Sequence, residues 1–324
     1  MIPEIANQIV LVILGLVILL VAGDLLVRGA VGLATALKIP ALLVSLTIVA
    51  FGTSAPELFV SIQAVMTGND GIALGNIIGS NIANVMLVLG LPALIYPITT
   101  HVLGLRRHAV FMLIATAGFL GAAYGPGEIN TTIGAALFGG IIIYVAYLWF
   151  RASRGKSDDP ILDEVEEYKE SGLGIKTIAF LLAGLVGLPL GAHLLVAHGA
   201  SLAADLGVRD EVIGLTIVAF GTSLPELATV IAAALHKKSD VAIGGVIGSN
   251  IFNLLAVGGA AGLAGTAVFS APSLVLDIPV MLLATLALAA FVLTRRDIGR
   301  LWGAIFFAGY VGFIFTLAAK ASGI

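Results

Sequence analysis

The chain has 324 residues, of which 59% are hydrophobic and 11% are charged, and its mean hydropathy is +1.11. Because soluble domains carry about 25% charged residues, this composition indicates an integral membrane protein rather than a soluble enzyme. The formal net charge of −3 gives no support for nucleic-acid binding, and the lack of cysteine excludes disulfides, thiolate metal sites and a cysteine nucleophile.

Long apolar segments recur along the whole chain. A helix of roughly 20 apolar residues spans the hydrocarbon core of a bilayer, and the segments are too long and too uniform to be barrel strands. The first segment follows Glu4 rather than basic residues and continues past residue 30, so we expect a spanning helix and not a cleaved signal. The sequence predicts an all-α integral membrane protein whose ten transmembrane helices cover about 5–36, 40–66, 72–95, 105–123, 131–150, 175–204, 211–235, 241–265, 274–294 and 299–319.

The positions of lysine and arginine predict the orientation. With the N-terminus outside, thirteen of these residues, from Lys38 to Arg300, face the inside, and only Arg209 and Lys320 face the outside. Short loops on the cytoplasmic side are enriched in lysine and arginine. We therefore expect a multi-pass protein of the cell membrane with both termini outside.

Two stretches of the chain repeat each other at an offset of 169 residues. "LTIVAFGTSAPEL" at 46–58 returns as "LTIVAFGTSLPEL" at 215–227, and "LGNIIGSNIANVM" at 74–86 returns as "IGGVIGSNIFNLL" at 243–255. Each copy holds five predicted helices, and five is odd, so the second copy enters the membrane from the opposite side. Inverted repeats are an architecture of secondary transporters. The predicted domains are a first repeat at 1–150, a linker at 151–173 and a second repeat at 174–324.

The linker at 151–173 is strongly acidic, with seven of the nineteen Asp and Glu residues of the chain. We interpret it as a solvated cytoplasmic connection, because its spacing matches no EF-hand loop. Binding of a regulatory cation is the alternative.

Each repeat places one glutamate, Glu57 or Glu226, inside an apolar segment. A charge at mid-bilayer costs about 2.5–3.5 kcal/mol on insertion scales and is usually functional. Neither glutamate has a lysine or arginine in its own segment to pair with. The partner is therefore a proton, a cation, or each in turn.

The residues around each glutamate favour a cation. Thr53 and Ser54 lie four and three residues before Glu57, so in a helix their hydroxyls share its face. Pro56 has no N–H for the carbonyl of Gly52, which predicts a kink that exposes backbone carbonyls. Carboxylate, hydroxyl and carbonyl oxygens suit calcium or sodium rather than zinc or copper. The second repeat supplies the same set in Thr222, Ser223, Pro225 and Glu226.

The next helix of each repeat carries a further hydroxyl and amide on one face. Ser80 and Asn84 are one turn apart, and Ser249 and Asn253 repeat them. Any one of these side chains could instead form an interhelical hydrogen bond. Their recurrence beside the paired glutamates favours ion ligands.

With these motifs the chain resembles the sodium/calcium exchanger family, within the wider calcium/cation antiporters. "AFGTSAPE", "AFGTSLPE", "GNIIGSNIANV" and "GGVIGSNIFNL" are similar to its two alpha-repeats. The resemblance covers essentially the whole chain and implies a central cluster of four ion sites, with the first and sixth helices sliding as the moving pair. It implies that Glu57 and Glu226 are shared ligands of calcium or sodium, and that the flanking ligands are Thr53, Ser54, Thr222, Ser223, Ser80, Asn84, Ser249, Asn253 and the backbone carbonyls of Ala50 and Ala219.

Two positions depart from the family pattern. Several exchangers of the family carry aspartate where this chain has Asn253, so the cluster here holds two carboxylates, which balance one calcium or two sodium ions. Gly245 stands where the first repeat has Asn76, which removes one candidate oxygen from the second half.

The leading hypothesis is a secondary-active antiporter, not an enzyme, that exchanges calcium for sodium without a cofactor or an obligatory protein partner. The alternative is a proton-coupled calcium exchanger in which the two glutamates take up protons. A channel and an intramembrane hydrolase that uses the carboxylates as an acid–base pair are the remaining classes. Elsewhere, Asp24 and Arg28 are one helical turn apart and predict an ion pair or a gating contact, and His193 and His198 are either hydrogen-bonded residues or a proton relay.

Overall fold

Long helices account for most of the residues that the computed structural model describes, which are 2–37, 39, 41–153, 174–205 and 221–321. Eight of the described helices are long and apolar enough to cross a membrane, and a bent pair makes a ninth span. The predicted span at 211–235 lies partly outside the described residues. The helices are α1 (Ile2–Leu37), α2 (Ala41–Thr53), α3 (Ala55–Met66), α4 (Asp70–Ile95), α5 (Leu105–Tyr124), α6 (Thr131–Ser153), α7 (Ile175–Asp205), α8 (Leu224–Leu235), α9 (Ser239–Ala264), α10 (Ser273–Thr294) and α11 (Arg300–Ala321).

The kink predicted in the first repeat is confirmed. Ser54 leaves the helical region, with φ −88° and ψ 5°, and α2 and α3 meet there at 45°. Pro56 lies in the first turn of α3, where its missing N–H costs no hydrogen bond. The break is therefore a direct consequence of the Gly-Thr-Ser-x-Pro sequence.

The second repeat has the same local geometry as the first. Ser223, 169 residues after Ser54, has φ −87° and ψ 2°, and Pro225 lies in the first turn of α8. The α-helical part of α4 gives way to a π-helical turn at Asn84, and that of α9 does so at Asn253. Such turns occur frequently at functional sites. The repeated motifs thus encode the same break and the same turn twice.

Two backbone pairings join the halves at equivalent positions. Strand β1 (Glu128–Ile129) pairs antiparallel with β2 (Ala267–Val268), placing Ile129 opposite Ala267. Ile98 pairs in the same way with Ile298, 169 residues after Ile129. Each pairing satisfies backbone groups where helices end, and each needs one segment from either half.

Glycines set the closest helix contacts between the halves. A methyl group on Gly134 in α6 would lie 2.7 Å from the backbone of Gly262 in α9. Gly303 is the equivalent residue in α11. A methyl group on it would lie 2.7 Å from the carbonyl oxygen of Gly90 in α4. Small residues allow helices to pack backbone to backbone in lipid. Since both contacts cross between the repeats, glycine packing holds the halves together.

Replacing Gly134 with alanine should destabilise the protein. The added methyl would force α6 and α9 apart, and overpacking of this kind costs about 1–3 kcal/mol. The measurement is thermal unfolding in detergent, where we expect a lower midpoint. Gly139→Ala is the matched control. Gly139 lies in the same helix, α6, and a methyl group there would have no atom within 4 Å. Equal midpoints for the two variants would contradict the packing argument.

Helices α1 and α7 pack along each other as a pair. Methyl groups on Gly184 and Gly191 of α7 would meet the backbone of α1 at 2.8 Å, at Leu26 and Leu19. The outer surface of this pair is rich in exposed apolar side chains, as expected for helices that face lipid. One side of the pair therefore faces outward, while Leu19 and Leu26 are buried between the two helices.

Candidate ion-binding site

Glu57 and Glu226 lie in the first turns of α3 and α8. Their exposed fractions are 1% and 3%, so both side chains are buried. The peptide dipoles of a helix place partial positive charge at its N-terminus, which stabilises a nearby carboxylate. The breaks before α3 and α8 thus put the start of one helix, and one acid, at the centre of each repeat.

The two carboxyl groups lie close enough to repel each other when both are ionised. Among the described residues, Oε2 of Glu57 and Oε2 of Glu226 have no hydrogen-bond partner, although both atoms are fully buried. A buried carboxylate oxygen without a partner is costly unless a proton or cation compensates it. The pair is therefore suited to hold positive charge between its two members.

Hydroxyl groups of the first repeat reach across to the acid of the second. Ser54 donates to Oε1 of Glu226 at 3.2 Å, and the Thr53 hydroxyl also interacts with that carboxylate. Thr53 donates to the carbonyl of Val49 at 3.1 Å and lies 3.5 Å from the Ser249 hydroxyl. These contacts bring the predicted ligands of the two halves into one cluster.

Five further predicted side chains are also buried: Ser80, Asn84, Ser223, Ser249 and Asn253. The Ser80 hydroxyl interacts with the Glu57 carboxyl group. Within the described part of the chain, several polar atoms of this set have no hydrogen-bond partner: Oδ1 of Asn84, Oγ of Ser223, and both amide atoms of Asn253. Native structures rarely leave buried polar atoms unpaired. These unpaired buried atoms are therefore candidates to bind an ion.

Three predicted ligands stand apart from this set. The Ala50 carbonyl already accepts the Ser54 N–H at 3.0 Å, and the Thr53 hydroxyl oxygen lies 3.4 Å from it. Thr222 is only half-buried. Ala219 lies outside the described residues.

Sequence reasoning gave no structural role to three further amides, those of Asn76, Asn81 and Asn250. Asn76, weighed only as a candidate oxygen ligand, donates to the backbone carbonyl of Glu57 at 3.1 Å and to Ser61 Oγ at 2.9 Å, so it fastens α4 to α3. Asn81 donates to the Ile77 carbonyl at 2.7 Å. Its repeat equivalent, Asn250, pairs with Asn84. The repeated Gly-Ser-Asn motif was the available signal for the last two residues.

The ion pair predicted within α1 is present and extends to a second helix. Arg28 Nε lies 2.8 Å from Asp24 Oδ2, and the other Asp24 oxygen contacts Nε2 of His236, at the end of α8. His198 is hydrogen-bonded to Gln8 at 2.6 Å, while His193 is exposed. The contact of Asp24 with His236 joins α1 to the helix that carries Glu226.

The cluster has the chemistry of a site for hard cations. Carboxylate, hydroxyl and amide oxygens are the ligands that calcium and sodium prefer, and they leave no soft donor for copper or zinc. Across residues 2–37, 39, 41–153, 174–205 and 221–321, no three His, Asp or Glu side chains come together around one point. The two glutamates therefore supply the acidic charge of the site.

A family model described as "Sodium/calcium exchanger protein" matches residues 7–152 and 176–319. The "Putative antiporter CaxA" of Alkalimonas amylolytica is 36% identical over 313 residues, which cover 95% of this chain and 98% of that protein. The "Sodium/calcium exchanger MaX1" of Methanosarcina acetivorans is 32% identical, over 95% of this chain and 97% of its own.

More distantly, the "Ca(2+)/H(+) antiporter ChaA" of Bacillus subtilis is 28% identical over 61% of this chain and 60% of its own length. A solved structure of the sodium-calcium exchanger NCX_Mj, soaked with Na+ and Sr2+, superposes with a TM-score of 0.78 at 30% identity. The superposition covers 94% of this chain and 96% of that one.

Proposed function

This chain belongs to the sodium/calcium exchanger protein family, and we propose that it is a secondary-active antiporter that exchanges calcium for sodium across the cell membrane. Two of its relatives are named for calcium exchange, one for sodium/calcium exchange and one for Ca(2+)/H(+) antiport. The transported ions are its substrates, and it needs no cofactor.

The observation that carries the proposal is the pair of buried glutamates with unpartnered oxygens, surrounded by neutral oxygen donors. A calcium ion that enters the membrane must exchange its water ligands for protein oxygens. Glu57 and Glu226 would neutralise one calcium ion or two sodium ions. The flanking ligands would be Thr53, Ser54, Ser80, Asn84, Thr222, Ser223, Ser249, Asn253 and the carbonyls of Ala50 and Ala219. Because the ions compete for the same two charges, binding of one kind expels the other.

We further propose ten transmembrane helices in two inverted five-helix repeats, 1–150 and 174–324. The repeated breaks at Ser54 and Ser223 support this, as do the equivalent backbone pairings of Ile129 and Ile98. In such an arrangement the site lies at the repeat interface and opens alternately to each side.

The moving element in this proposal is the α1/α7 pair. A methyl group on Gly23 in α1 would lie 2.8 Å from the Ala228 carbonyl oxygen, so α1 packs closely on α8. Phe59, the equivalent of Ala228 in α3, is 72% exposed. In this structure α1 thus packs on α8 of the second repeat. Sliding of the pair toward α3 of the first repeat would open the ion site to the opposite side of the membrane.

The distribution of lysine and arginine supports an orientation with both termini outside and the linker at 151–173 in the cytoplasm. Residues 154–173 of the linker lie outside the residues that the structure describes. The lipid bilayer is the only surrounding that this proposal requires, with no obligatory protein partner and no nucleic acid.

Proton coupling is the second candidate, and one relative is named as a Ca(2+)/H(+) antiporter. Two neighbouring buried carboxyl groups could exchange calcium for two protons without changing the charge balance. Because residue 253 is asparagine, the site holds two carboxylates. Exchange of one calcium ion for two protons therefore moves the same net charge, zero, as exchange for two sodium ions.

A flux assay with separate gradients decides between the two. Purified protein in liposomes is given an outward sodium gradient at equal pH, or an outward proton gradient without sodium, and uptake of radioactive calcium is followed. We expect uptake with the sodium gradient and little with the proton gradient. Liposomes without protein are the control for leak. Uptake that follows only the proton gradient would show that protons rather than sodium ions drive calcium uptake. Uptake with neither gradient would favour a channel.

A further inference from the structure

We propose that Asn250 is a positioning residue that orients the Asn84 amide toward the transported ion, an inference that rests on the proposed function. Asn84 Nδ2 donates to Asn250 Oδ1 at 3.0 Å, and both side chains are buried, with exposed fractions of 1% and 0%. The contact crosses the repeats, from α4 to α9.

The hydrogen bond determines which end of the Asn84 amide faces the site. An amide is planar, with its oxygen and its NH₂ group on opposite sides, so fixing the NH₂ group also fixes the oxygen. Oδ1 of Asn84 is buried and has no hydrogen-bond partner among the described residues. A cation is attracted by that oxygen and would be repelled by the NH₂ group. Asn250 therefore keeps Asn84 in the orientation that binds a cation.

Asn250 is itself held in the matching orientation. Its Nδ2 atom faces the sulfur of Met112 in α5 at 3.9 Å, a weak acceptor for an N–H. This leaves its oxygen toward Asn84. The pair is thus a short chain of contacts that runs from α5 through α9 to α4.

The equivalent pair of the other half is not formed. Asn81, the repeat equivalent of Asn250, donates to the Ile77 carbonyl one turn back in its own helix, at 2.7 Å. Asn253, the equivalent of Asn84, has neither amide atom paired within the described residues. Asn84 is therefore preorganised for a cation by a side-chain partner that Asn253 lacks within the described residues. Preorganised ligands bind with a smaller entropic cost, so Asn84 should contribute more to calcium affinity than Asn253.

The test compares Asn250→Ala with Asn81→Ala as the matched control. Both changes empty a similar buried volume and remove one amide, but only the first releases Asn84. The readouts are calcium binding by calorimetry in detergent, and the KM and maximal rate of sodium-driven calcium uptake in liposomes. For Asn250→Ala we expect a Kd and KM for calcium about fivefold to tenfold higher, the size expected for one lost hydrogen bond, with a maximal rate within about twofold. For Asn81→Ala we expect both constants within about twofold of the parent.

A double-mutant cycle separates positioning from a general structural effect. Because Asn250 acts through Asn84, adding Asn250→Ala to Asn84→Ala should weaken calcium binding no further. The proposal would be overturned if the increases in calcium Kd from Asn250→Ala and Asn84→Ala multiply in the double variant. It would also be overturned if Asn250→Ala and Asn81→Ala have equal effects. Either result would count even if the parent protein is an active exchanger. A parent that binds calcium but exchanges it for neither sodium nor protons would overturn the proposed function instead, and the binding cycle would still test Asn250.

Discussion

Glu226→Gln is expected to abolish sodium-driven calcium uptake, and Glu57→Gln is expected to do the same. Each change keeps the shape of the side chain but removes one of the two negative charges that balance the ion. Removal of one partner from a buried charge pair costs about 3–5 kcal/mol, which corresponds to roughly 150-fold to 5,000-fold weaker binding. The measurement is calcium uptake into liposomes, together with calcium binding in detergent.

Glu128→Gln is the matched control for these variants. Glu128 lies in β1, where it accepts a hydrogen bond from Asn130 at 3.0 Å and takes no part in the central cluster. Its uptake should match that of the parent protein. Normal transport by Glu57→Gln or Glu226→Gln would remove that residue from the site, whereas loss of transport in all three variants would point to a general sensitivity to charge.

Asn253→Asp should change the ratio of the exchanged ions. With two carboxylates the site balances two sodium ions, so the parent protein should exchange without net charge movement. A third carboxylate would balance a third sodium ion and make exchange of three sodium ions for one calcium ion carry one positive charge. We expect the Hill coefficient for sodium to rise from about two toward about three, and uptake to become sensitive to membrane potential.

The measurement is calcium uptake into liposomes with the membrane potential set by potassium and valinomycin. An outward sodium gradient that moves three sodium ions out for each calcium ion in is favoured by an inside-positive potential, so such a potential should accelerate uptake by Asn253→Asp and leave the parent unchanged. Asn253→Leu is the control, because it removes the amide without adding charge. A parent protein that already responds to the potential would contradict the charge balance assigned to the two glutamates.

The parts of the site that were predictable from sequence depend on local chemistry. The break between α2 and α3 follows from Pro56, whose missing N–H acts within one helical turn. The grouping of Thr53, Ser54 and Glu57 follows from helical spacing, and the second copy of the motif predicted the same set again. Apart from 211–235, which is only partly described, the predicted segments also match the described helices closely, because a bilayer imposes a narrow range of lengths.

The differences between the two halves could not be predicted in this way. Ser54 donates a hydrogen bond to Glu226. Its equivalent, Ser223, has no hydrogen-bond partner among the described residues, and the hydroxyl that interacts with Glu57 is that of Ser80. Such differences arise from the placement of one half relative to the other, whereas nearly identical motifs predict identical surroundings. The contact of Asp24 with His236 was missed for a similar reason, since Thr67 takes the place of His236 in the first repeat and nothing there suggests a partner.

The two backbone pairings, Ile129 with Ala267 and Ile98 with Ile298, have a consequence for the origin of the molecule. Each pairing joins one backbone segment from either half. A lone five-helix unit would therefore leave the edges of both its segments without a backbone partner. A single ancestral unit could close both edges only by associating with a second copy of itself. The fused chain makes that association permanent, and it frees each copy to acquire its own substitutions.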